Sequence, residues 1–68
     1  MPEAWTGRLI GKMHNAGISR VELAEEMGCK KAYISMILNG QRNPAGARER
    51  LEAAFETVKR RKADAKRA

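Results

Sequence analysis

Apolar residues recur along this chain at intervals of three and four, and nowhere alternate with polar ones for long enough to make a strand. The first stretch, about 4–15, places Trp5, Leu9 and Met13 one turn apart, and Gly17 supplies a left-handed stop. Gly7 and Gly11 each weaken that helix by up to ~1 kcal/mol relative to Ala. A second helix opens at Ser19-Arg20-Val21-Glu22. This is a capping box, in which the Ser hydroxyl accepts from the Glu22 amide and the Glu carboxylate accepts from the Ser19 amide. Leu23, Ala24 and Met27 form its apolar stripe, and Gly28 ends it. A third helix, about 30–39, turns Ile34, Ile37 and Leu38 inward and stops at Asn39-Gly40. The run from Gln41 to Gly46 reads as a loop, because Pro44 lacks the donor that a helix interior requires. The fourth pattern, about 46–61, is the cleanest. Leu51, Ala54, Phe55 and Val58 fall at i, i+3, i+4 and i+7, with Arg48/Glu52 and Glu56/Arg60 as outward pairs. The stripe fades beyond Val58, so fraying is expected over 62–68. The expected fold class is all-α with four helices, or five, in one domain over 1–61 followed by a basic C-terminal tail at 62–68.

Size narrows the functions available. A chain of 68 residues stands near the lower limit of autonomous folding and buries only about 60% of its unfolded surface. It has no room for both a fold and an enclosed catalytic cavity. Its single Cys29 and single His14 supply neither a disulfide framework nor a structural zinc site. No apolar run approaches the ~20 residues that cross a bilayer. The opening Met1-Pro2-Glu3-Ala4-Trp5 has no basic or apolar leader pattern. An intracellular protein of the cytoplasm is expected, with no cofactor, metal, membrane or small-molecule substrate. An enzyme is the least favoured class, since no Ser, Cys and His share a helical spacing that joins nucleophile to base.

The net charge of +6 is unevenly placed. Residues 1–58 are nearly balanced at +1, whereas the last ten carry six bases and only Asp64, giving +5. Between Met27 and Arg48 there is no acid, while Lys30, Lys31, Arg42 and Arg48 are present. An acid-free basic window beside a basic tail is the electrostatic footprint of a polyanion binder.

Two short helices joined by a tight Gly-containing turn make a helix-turn-helix. Here Ala24 is small at the helix crossing, Gly28 makes the turn, Cys29 plugs it, and Ile34 and Ile37 anchor the second helix. The run from Ile18 to Gly28, followed by Ala32-Tyr33-Ile34-Ser35-Met36-Ile37-Leu38-Asn39-Gly40-Gln41-Arg42-Asn43-Pro44, resembles the Cro/CI-type (Xre-like) repressor family over about residues 5–58. The resemblance implies a lambda-repressor-like DNA-binding domain. It also implies a homodimer on a palindromic operator, with its dimer surface in the 40–58 region, and a transcriptional regulator of phage, prophage or bacterial origin. Two positions depart from the family's usual pattern: Lys30 stands where a Ser or Thr N-cap is common, and Lys31-Ala32 where the first turn is often amide-rich.

The outward face of the third helix carries the candidate base contacts Lys30, Lys31, Ala32, Ser35 and Met36. A helix N-terminus in the major groove sets its first turn deepest. Lys31 suits guanine O6/N7, Ala32 and Met36 suit a thymine methyl, and Ser35 suits either base type. Arg20, Tyr33, Asn39 and Arg42 are the candidate phosphate contacts, which fix register without reading sequence. Plainer readings stand beside these: solvated lysines at 30 and 31, a surface or dimer contact at Met36, and partial core membership for Tyr33. Cys29 reads as a small buried hydrophobe, Trp5 as core, and Met13 and Met27 as core filler. Two other functions remain open. One is a non-specific nucleic-acid-binding architectural protein whose tail supplies the affinity; the other is an antitoxin-type or protein-interaction module. On the regulator reading, removing 62–68 is expected to lower affinity without altering specificity or folding.

Overall fold

The computed structural model describes residues 4–67, with side chains to Ala65. Met1, Pro2, Glu3 and Ala68, and the side chains of the tail bases Lys66 and Arg67, lie outside the described residues. Every regular element among those described is helical: α1 (Ala4–Ala16), α2 (Arg20–Met27), α3 (Lys31–Leu38) and α4 (Ala47–Arg67).

The helix ends follow from local chemistry. Both halves of the capping box at the start of α2 form: the Ser19 amide donates to Glu22 Oε1 at 2.8 Å and the Glu22 amide to Ser19 Oγ at 3.2 Å. α2 stops at Gly28, whose φ of 72° is left-handed. There the Gly28 amide donates to the Glu25 carbonyl at 3.3 Å and the Cys29 amide to the Ala24 carbonyl at 2.9 Å. This paired closure satisfies carbonyls that a helix end otherwise leaves open. α3 closes the same way at Gly40, with Gly40 donating to Ile37 and Gln41 to Met36. Any side chain at Gly28 meets open space but must adopt a strained backbone, so glycine is selected there by conformation and not by crowding.

α1 and α4 form a cradle. α2 packs on α4 and α3, and α3 packs on α2 and α1. The core combines Trp5, Leu9 and Met13 of α1 with Leu23 and Ala24 of α2, Ile34, Ile37 and Leu38 of α3, and Leu51, Phe55 and Val58 of α4. Ala24 is small and buried in the core, as the spacing requires, while Met27, Cys29 and Tyr33 pack half-buried against it. α1 runs unbroken through Gly7 and Gly11. Burial of its Trp5–Leu9–Met13 stripe outweighs the propensity deficit.

The expected fraying from residue 62 is corrected: α4 continues to Arg67. Lys62 Nζ donates to the Gly17 carbonyl at 2.7 Å and pairs with Glu22 Oε2 at 2.9 Å. Arg61 pairs with Glu26. Tertiary partners on α2 thus take over where the apolar stripe ends, and Lys, Arg and Ala are good helix formers in any case.

Candidate nucleic-acid interface

α3 is built to stand proud of the core. Ile34, Ile37 and Leu38 are buried on its inner side, which fixes the rotation of the helix and turns Lys31 and Ala32 to solvent. Lys30 occupies the N-cap with extended backbone (φ −94°, ψ 150°) and makes no side-chain capping bond. Its ammonium only donates, so it cannot satisfy the first-turn amides as a Ser or Thr would. The first turn therefore offers two lysine side chains and backbone donors on one exposed edge.

The candidate residues divide by exposure. Lys30, Lys31, Ala32, Asn39 and Arg42 are exposed, whereas Arg20, Tyr33, Ser35 and Met36 are half-buried. Tyr33 leans on the core, so its ring is partly structural. Arg42 is held beyond the end of α3 by its own backbone, whose amide donates to the Met36 carbonyl at 3.2 Å. Two of the candidates meet directly: Arg20 Nη1 donates to Ser35 Oγ at 3.1 Å, across the seam between α2 and α3.

A helix-turn-helix family model, of the Cro/CI (Xre-like) type, matches residues 13–48. The chain belongs to this family. Comparison with curated proteins and with solved structures returns no match. The matched segment holds the second half of α1, the capping box, the Gly28 turn, α3 and the loop that carries Arg42. It makes the protein a DNA-binding helix-turn-helix regulator. Among the described residues, no helix is long and apolar enough to cross a membrane.

The helix-turn-helix is also tied down from outside the matched segment, by residues that sequence reading passed over. Glu22 and Glu26 lie one turn apart on α2, and Lys62 and Arg61 of α4 meet them. Two of the three acids that precede the basic window, Glu22 and Glu26, are thereby paired within the fold. The only signal available in the sequence was two acids four residues apart, with no indication of which bases, some 35 to 40 positions away, would reach them.

The Ser19 amide bond and the Lys62 ammonium hold the Glu22 carboxyl below the usual carboxylate range, against a smaller opposing effect of burial. A carboxyl depressed in the folded state stabilises the fold above its unfolded pKa of about 4.3, and that contribution is lost as pH falls through the folded value. Glu22→Gln keeps an acceptor for the Ser19 amide but removes the charge facing Lys62. We expect it to cost at most about 1 kcal/mol at pH 7, because the pair is partly exposed, and to cost progressively less below about pH 4. Urea unfolding at pH 7 and pH 3 checks this; an equal loss at both values excludes a charge contribution.

Proposed function

We propose that the protein is a sequence-specific transcriptional regulator, a small Cro-like repressor of phage, prophage or bacterial origin. On this reading it acts in the cytoplasm at the nucleoid, with α3 in the major groove of a palindromic operator. The observation that carries it is the exposed, acid-free first turn of α3, with Lys30, Lys31 and Ala32 outward and Ile34, Ile37 and Leu38 buried behind them. Lys30, Lys31, Ala32, Ser35 and Met36 face base edges, while Arg20, Tyr33, Asn39 and Arg42 hold phosphates.

An eight-residue helix is about 12 Å long and spans only three or four base pairs. Useful specificity therefore calls for two copies, with half-sites about one helical turn apart. The contacts of Arg61 and Lys62 with Glu26 and Glu22 favour this reading over a tail-driven architectural protein, since they commit two of the C-terminal bases to the fold. The bases left over at the C-terminus add non-specific affinity. An antitoxin-type or protein-interaction role has no comparable feature in its favour.

Selection of bound sequences from a random duplex pool tests the proposal, followed by salt titration on the selected site and on random DNA. A single symmetric site with two half-sites is expected; equal affinity for selected and random duplexes at every salt concentration rejects sequence-specific regulation. Arg42→Ala is expected to weaken both duplexes about equally and to lower the salt slope by about one per protomer. An unchanged slope removes Arg42 from the phosphate contacts.

A further inference from the structure

We propose that Arg20 is a positioning residue for base readout: it takes up one lone pair of the Ser35 hydroxyl and leaves that hydroxyl to act as a hydrogen-bond donor towards the groove. The inference rests on α3 lying in the major groove as proposed above, and goes further by saying what one of its side chains selects.

Arg20 is the first residue of α2, and its register is fixed by the Ser19 capping box. Ser35 is the fifth residue of α3, one turn beyond Lys31 and on the same outward side of that helix. The two are 15 residues apart in sequence and joined by a bond of 3.1 Å between half-buried groups.

A guanidinium has five N–H donors and no acceptor, and a serine hydroxyl has one donor and two lone pairs. In this pair the hydroxyl is therefore the acceptor and its hydrogen is directed elsewhere. Among the described residues, Arg20 is the only side-chain partner of Ser35.

A serine free to rotate accepts from cytosine N4 or adenine N6 as readily as it donates to guanine O6 or a purine N7. With Arg20 holding a lone pair, donation is favoured, and the base pair opposite Ser35 is read for an acceptor: guanine O6, purine N7 or thymine O4. The other N–H groups of Arg20 remain for a phosphate. One guanidinium then joins a backbone contact to a base contact, so seating on the phosphate and choice of base are coupled. A lysine at this position lacks the rigid fork that serves two acceptors at once.

The test uses the full chain and the duplex that wild type selects from a random pool. Ser35→Ala identifies the base pair concerned, as the one position where its preference falls by about fivefold, the worth of one hydrogen bond. Arg20→Ala is expected to flatten the same position to the same extent, with the double variant flattening it no further. It is also expected to lower the salt slope, which Ser35→Ala leaves unchanged. Arg20→Lys is expected to restore the slope but not the base preference. Thermal unfolding of each variant, followed by circular dichroism, separates readout from folding. Replacing the purine there by its own 7-deaza analogue should weaken wild-type binding if N7 is the acceptor; unchanged binding points to O6 or O4.

Arg20→Ala that leaves the preference intact, or losses that add in the double variant, overturn the role of Arg20 while the DNA reading stands. A wild-type protein that selects no sequence overturns both.

Discussion

Leu51→Ala is expected to remove a large share of the protein's stability. Leu51 is fully buried on α4 and belongs to the single core that joins all four helices. Cutting a buried leucine to alanine costs about 2–5 kcal/mol, from lost transfer energy and from the cavity left behind. At 0.05–0.15 kcal/mol per residue, a chain of this length has only about 3–10 kcal/mol in total. One substitution therefore removes a large share of the stability. Leu51 also lies outside the segment 13–48 that the family model matches, so the experiment asks whether α4 is part of the folding unit or an appendage. Urea unfolding read by far-UV circular dichroism gives the answer, with exposed, mid-helix Glu56→Ala as the control near zero. A midpoint for Leu51→Ala close to that of the control means that the motif folds without α4, contrary to the packing of α4 on α2 and α1.

Lys31→Ala is expected to change which base is preferred at one position, by about 1–3 kcal/mol, while the protein stays folded. Lys31 is the first residue of α3 and exposed, with no carboxylate paired to it among the described residues. Removing it exposes no core and breaks no cap, so the melting temperature should hardly move. Binding to the selected duplex should fall, and binding to a duplex altered at the affected pair should fall less. That asymmetry distinguishes a base contact from a phosphate contact such as Arg42, whose loss weakens all duplexes alike. A uniform loss for Lys31→Ala moves it into the phosphate class. No loss at all contradicts the docking of the α3 N-terminus in the groove.

Much of the architecture follows from local chemistry that can be read along the chain. Four helices, their order, and the starts and stops at Ser19, Gly17, Gly28 and Gly40 were legible, because caps and left-handed glycines act within four or five residues. The inward faces were legible from period, since Leu9, Leu23, Ile34 and Leu51 fall on stripes that must be buried. The family, too, could be read from the residues around the turn, and the match over 13–48 bears that out.

The end of α4 and the partners of its basic residues emerge from packing between helices and not from local pattern. Extrapolating the apolar stripe stopped the helix near 61, but Lys62 and Arg61 are held by Glu22 and Glu26 on α2. The pairing of Arg20 with Ser35 was equally hidden: both residues were legible as candidates, but their contact was not. Periodicity reports which face of a helix is wet or dry. It carries no information on which polar groups, 15 or 40 residues apart, are brought within hydrogen-bonding distance once those faces close on one another.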